Sequence, residues 1–213
     1  MATGRATGSF SAAAGALLAL FSLCALAGPE EDYRAAMTAY RGGDMTGAMT
    51  TLRRTSGQGH VPSMLLLGYI LEQASLDSDA VQVYRKAAEA GSAEGELGLA
   101  AMVAAGKGTP RDLPQAVRLY ESAAAKGNAT AANALAQAYI TGTLGLGASQ
   151  RDNARALAAL RRAAEHGYAP AAAELARAYT TGDYGVTPDP VEAARWQPKA
   201  SATSKAGPAK GGR

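Results

Sequence analysis

The sequence predicts an all-α fold, an α-α superhelix or solenoid of about five antiparallel helix pairs. Three observations predict it. Alanine is abundant and aromatics are only 6% of the 213 residues, a composition that favours helix because Ala loses no side-chain entropy there. A block closed by glycine recurs along the chain, at Gly59, Gly91, Gly127 and Gly167, with spacings of 32, 36 and 40 residues. Within each block the apolar positions fall at helical spacing on one face.

The chain opens on Arg5 and an apolar stretch from Phe10 to Ala27, ending in the small-x-small site Ala25-Leu26-Ala27. This tripartite pattern is that of a secretory signal peptide, residues 1–27, cleaved after Ala27. The alternative is an uncleaved N-terminal anchor, since about 18 apolar residues just span a bilayer. Both readings put the rest outside the cytoplasm, in the periplasm or secreted, with any membrane contact made through that segment alone. Cys24 is the only cysteine. The bulky Leu23 beside it argues against lipidation, so the mature chain relies on its core without disulfides.

The repeat domain is predicted over residues 28–200. Counting forward from each closing glycine, position eight carries Leu67, Leu99, Leu135 and Leu175, and position nine the small Gly68, Ala100, Ala136 and Ala176. Position twelve carries Leu71, Val103, Tyr139 and Tyr179, and position fifteen Ala74, Gly106, Gly142 and Gly182. Together these describe a first helix with a left-handed glycine cap. Counting backward, position fifteen carries Asp44, Leu76, Asp112 and Asp152, and position eleven Ala48, Ala80, Ala116 and Ala156. Position seven carries Leu52, Tyr84, Tyr120 and Leu160, followed by the pairs Ala87-Ala88, Ala123-Ala124 and Ala163-Ala164. This second amphipathic helix has Asp at its N-cap, a pattern repeated by Asp189-Pro190 with Pro at the first helical position. Variable length is confined to the loop inside each pair, six residues at 107–112 and ten at 143–152.

Leu-small-x-x-Tyr-x-x-Gly, then Asp-x-x-x-Ala-x-x-aromatic, then Ala-Ala-x-x-Gly resembles the Sel-one-like (SLR) repeat family, a variable-length relative of the tetratricopeptide repeat. It reads here as LAQAYITG, DNARALAALRRAAEHG and LARAYTTGDYGVTPDPVEAARW. The resemblance implies an α-solenoid adaptor for protein complexes, of which some bacterial members are periplasmic or extracellular. Three departures stand out. The first pair has Ala36-Met37 and Thr55-Ser56 where the others have Leu-small and Ala-Ala, and reads as an atypical N-terminal cap. The second pair has Leu76 in the Asp position. The last has Pro198, predicted to end its second helix at about Gln197.

The net charge of +3 is too small for nucleic-acid binding. His60 and His166 occupy turns far apart, so neither metal nor cofactor is expected. The recurrent Asp residues read as caps. Gly106-Lys107-Gly108-Thr109 lacks the full phosphate-loop pattern and reads as a helix cap and loop. Asn128-Ala129-Thr130 matches a glycosylation acceptor at a helix start. Residues 201–213, with Lys205, Lys210 and Arg213 and no acids, read as a disordered basic tail.

The expected function is a non-enzymatic scaffold that binds another protein or a peptide segment. The alternative is a periplasmic hydrolase of cell-wall material, which needs convergent polar groups in one pocket. The resemblance to tetratricopeptide-like packing places positions three, six, ten and thirteen of each first helix in the concave groove. These supply Leu65, Tyr69 and Glu72, then Leu97 and Ala101, then Asn133 and Gln137, then Arg177 and Thr180. Tyr69 and Arg177 are the expected anchors, with Asn133 and Gln137 on the bound main chain. Exported protein is expected to begin at Gly28 on N-terminal sequencing; an intact Met1 in a membrane fraction points to the anchor instead.

Overall fold

The computed structural model describes residues 28–146 and 152–201; the segments 1–27 and 202–213 and the middle of the longest loop lie outside it. Among the described residues there are ten α-helices and no strand. In order they are α1 (Pro29–Arg41), α2 (Met45–Gly57), α3 (Val61–Gln73), α4 (Asp77–Glu89) and α5 (Ala93–Ala105), then α6 (Leu113–Ala125), α7 (Ala129–Thr141), α8 (Asn153–Glu165), α9 (Ala169–Thr181) and α10 (Pro190–Ser201). Odd-numbered members are the first, or A, helices of five pairs, and even-numbered members the B helices. Each helix packs on its partner, each B helix packs also on the A helix of the next pair, and α3 touches α5. The A helices thus line up along one side of the solenoid, its inner face in the resemblance set out above.

The local signals act as their chemistry requires. Asp44, Asp112 and Asp152 each accept a hydrogen bond from the backbone N–H three residues on, and Asp189 accepts from Val191 and Glu192. The four closing glycines have φ between 87° and 91°, where an L side chain is strained. The second pair, lacking its loop glycine, forces Ser75 to φ 58° instead. Leu76 follows it as an N-cap without a side-chain bond.

Small residues set the spacing between pairs. Ala87, Ala123 and Ala163 on the B helices and Ala131 and Ala171 on the next A helices are at most 1% exposed. A Cβ added at Gly95 meets Ala87 Cβ at 2.6 Å and the Ala88 nitrogen at 2.7 Å. Tyr84 is wedged between two helices by the same logic. Its ring would lie 2.7 Å from a Cβ at either Gly68 of α3 or Gly98 of α5. Burial, the carboxylate of Glu72 and then Tyr69 push its hydroxyl up to about 12.

The loop after α5 doubles back on the preceding pair. Gly108 packs so closely on the first turn of α4 that a Cβ there would lie 2.3 Å from the Asp77 carbonyl carbon. The neighbouring Lys107 Nζ stands 3.6 Å from Glu72 Oε1 on α3. The Gly-Lys-Gly-Thr segment is thus a helix cap and a strap.

One expectation needs correction at the C-terminal end. Helix α10 does not stop at Gln197 but runs through Pro198 to Ser201. Pro198 sits in the last turn, where its missing N–H forfeits only one bond. The Ser201 hydroxyl donates to the carbonyls of Gln197 at 3.3 Å and Pro198 at 3.0 Å. Ser201 is helical, and residues 202–213 of the expected basic tail, like the 1–27 segment, lie outside the described residues.

Gly98→Ala should destabilise by roughly 1–3 kcal/mol through overpacking, and the penalty should shrink in a Tyr84→Ala background, as a thermal-denaturation cycle would show. Leu135, 5% exposed, should cost about 2–5 kcal/mol on truncation to Ala; a loss below about 0.5 kcal/mol would contradict the burial of this position.

Candidate partner-binding surface

The inner face is built from equivalent positions of α3, α5, α7 and α9. Tyr69 is 46% exposed, and no other A helix among the described residues carries so exposed a large apolar side chain. Leu65 and Glu72 flank it, half-buried, on the same helix. On α5, Leu97 is half-buried against the core and Ala101 is exposed. On α7, Asn133 is half-buried and Gln137 exposed, and neither side-chain amide has a hydrogen-bond partner among the described residues. The face thus runs from an apolar stretch at α3 and α5 to free amide groups at α7.

At α9 the surface is different in kind. The Arg177 guanidinium donates to Glu174, to Asp183 and, at 3.4 Å, to the Tyr184 hydroxyl, and Tyr184 itself donates to Glu174. Asp183 and Tyr184 come from a 3-10 turn, Asp183–Gly185, in which Tyr184 has φ 58°. The Arg177 hydrogen bond holds the Glu174 carboxyl below the usual Glu range, aided by Tyr184 and opposed by burial. Burial and the bond to Glu174 push the Tyr184 hydroxyl up to about 12. Arg177 is therefore already engaged within the chain. The Thr180 hydroxyl is engaged as well, donating to the Ala176 carbonyl at 2.8 Å. Glu72 faces Lys107. Sequence reasoning placed these side chains on the surface but missed their partners, because Lys107, Asp183 and Tyr184 all come from the variable loops.

A second polar cluster was also missed. His60 Nδ1 lies 2.8 Å from Ser63 Oγ, and His60 Nε2 lies 3.4 Å from Glu30 Oε2. Carboxylate, imidazole and hydroxyl in line are the components of a nucleophilic site. Here the hydroxyl is 0% exposed and receives a bond from Thr55 Oγ1 at 2.7 Å, so no substrate can reach it. The arrangement instead stitches α1, α2 and α3 together, with Arg54 and the buried Asp32 paired beside it at 2.8 Å. The signal in the sequence was His60 at the N-cap with Ser63 three residues on, a capping-box spacing.

The Sel1 repeat signature matches four consecutive units, residues 61–92, 93–128, 129–168 and 169–197. The chain belongs to the Sel1 repeat family. The unit boundaries follow the closing glycines, and the first pair falls outside the matched units, as expected of an atypical cap. Among solved structures, the chain is similar to a Sel1 repeat protein from Oxalobacter formigenes, with 24% identity, 81% of this chain and 70% of that one covered, and a TM-score of 0.69. It is also similar to c5321, a protective antigen of uropathogenic Escherichia coli with an SLR fold, at 28% identity and a TM-score of 0.64. That match covers 87% of this chain but only 40% of the antigen. A comparison with curated proteins returns no significant match. Sel1 repeats generally mediate protein–protein interaction.

Glu174 gives this Sel1 repeat surface a pH signature. Its folded-state pKa lies below the unfolded value, so its contribution to stability is complete above the ordinary Glu pKa and is lost as pH falls through the lowered value. Glu174→Gln should therefore melt earlier than wild type at neutral pH, and the gap should narrow at an acidic pH below the lowered Glu174 value. A gap of the same size at both pH values would remove the carboxylate from the account.

Proposed function

We propose that this protein is a non-enzymatic adaptor of the bacterial periplasm or secretory space, binding an extended segment of a partner protein along its A-helix face. The observation that carries the reading is the pairing of an exposed Tyr69, set among Leu65 and Leu97, with the unpartnered amides of Asn133 and Gln137. An apolar anchor site followed by free amides suits one apolar side chain and the main chain that follows it. The apolar stretch and cleavage site before Gly28 support export, and the family's general role supports a protein partner. Arg177 acts here by positioning the α9 end of the surface, since its guanidinium already serves Glu174 and Asp183.

The test is to isolate partners from envelope extract, map the bound segment as a peptide, and measure its affinity for variants that melt like wild type. Tyr69→Ala should weaken binding at least about tenfold, close to the 1.4 kcal/mol expected of a modest hot spot. The double substitution Asn133→Ala and Gln137→Ala should do likewise. Wild-type affinity in both, with loss on substitution of the 143–150 loop, would move the site to the loop edge.

A further inference from the structure

The outer, B-helix side has a cleft of its own. Successive B helices leave a groove floored by the A helix between them. Six residues before each closing glycine, on the B helix at the groove's edge, stand Arg53, Arg85, Glu121 and Arg161. In the groove over α9 the arginine is engaged with the floor helix. Arg161 lies 5.7 Å from the Tyr179 ring centroid and donates to the Tyr179 hydroxyl. In the groove over α7 the same position is Glu121, and a cavity of about 260 Å³ is left open.

Three helices supply its walls. Glu121 comes from α6, Leu135 and Tyr139 from the floor helix α7, and Arg155, Ala159 and Arg162 from α8. Arg155 lies over the Tyr139 ring, 6.0 Å from its centroid, and 3.3 Å from Asp152. The Glu121 carboxylate, the Arg162 guanidinium and the Tyr139 hydroxyl have no hydrogen-bond or ion-pair partner among the described residues. Opposite charges from α6 and α8 thus line one cavity without pairing with each other, with Leu135 and Ala159 also in its lining.

We propose that this groove binds a ligand carrying an ammonium and a carboxylate joined by an apolar stem. The ammonium meets Glu121, and the carboxylate meets Arg162 through charge-assisted bonds. The stem lies on Leu135 and Ala159, beside Tyr139 and the Arg155 over its ring. Glu121 and Arg162 are both exposed, so a doubly charged ligand gains two charge-assisted contacts where a singly charged one gains only one. The cavity lies just under the roughly 300 Å³ at which small-molecule pockets begin, a volume for one residue-sized group. Two sources offer that chemistry: a free amino acid such as lysine, or the C-terminal lysine of a partner. The site stands apart from the inner face and does not depend on what binds there.

Calorimetric titration of the chain with 6-aminohexanoate, lysine, hexanoate, hexylamine and a peptide ending in a free C-terminal lysine tests it. The first two should bind saturably, and the singly charged analogues at least about tenfold more weakly. Glu121→Gln and Arg162→Gln should each lower aminohexanoate affinity by a similar factor with melting unchanged. Glu121→Arg, which restores the residue of the other pairs, should abolish binding in a folded protein. A lysine-ended peptide binding more tightly than lysine assigns the site to a partner's terminus; equal affinity assigns it to the free amino acid. Absence of saturable binding by both doubly charged probes, or equal affinity in wild type and Glu121→Arg, overturns the proposal.

Discussion

Everything in this solenoid depends on how closely one pair can approach the next. The B-helix alanines and the small residue four positions after each closing glycine meet almost backbone to backbone, as Gly95 does against Ala87 and Ala88. At Gly95 not even a methyl group fits. Close approach brings the larger residues, Leu99, Leu135 and Leu175, into one continuous core. It also leaves the Tyr84 ring no room except between Gly68 and Gly98. Dispersion and burial in such interfaces are collective, so a single added methyl acts on two pairs at once.

The first junction solves the same problem with polar atoms. Thr55 and Ser63 occupy the small-residue positions, both 0% exposed, and hydrogen-bond to each other. A buried hydroxyl pair is tolerable only because each donor finds an acceptor. Thr55 bonds Ser63, and His60 completes the set. The cap pair therefore keeps the spacing of the family while departing from its sequence, which explains why the repeat signature begins only at Val61.

Local rules carried the sequence reading far. Asp caps, left-handed glycines and the in-register alanines each act through atoms within about one helical turn, so spacing alone reveals them. The pair boundaries, the helix order and the surface position of Tyr69 were legible for that reason. What was not legible depends on contacts far along the chain. Pro198 stays helical because the last turn is bonded by Ser201 and packed by Trp196, 1% exposed with Lys199 4.8 Å from its ring centroid. Ser75 and Tyr184 adopt positive φ because the surrounding helices fix the turn geometry, not because their own type prefers it. Arg177 looked free, yet a loop residue six positions on neutralises it. In each case a tertiary partner overrides a correct local expectation.

The strap formed by Gly108 and Lys107 changes the mechanics of the rod. Repeat arrays transmit load only between neighbours, and each pair yields when its own junction gives way. Here a loop of the third pair lies against the start of α4 and reaches Glu72 on α3, so two pairs are lashed across their shared junction. Pulled from its ends, such a rod has one stiff segment, with softer joints on either side. Bending then concentrates at the joints flanking that segment, and the stretch of the inner face from α3 to α5, with Tyr69 on it, moves as one piece.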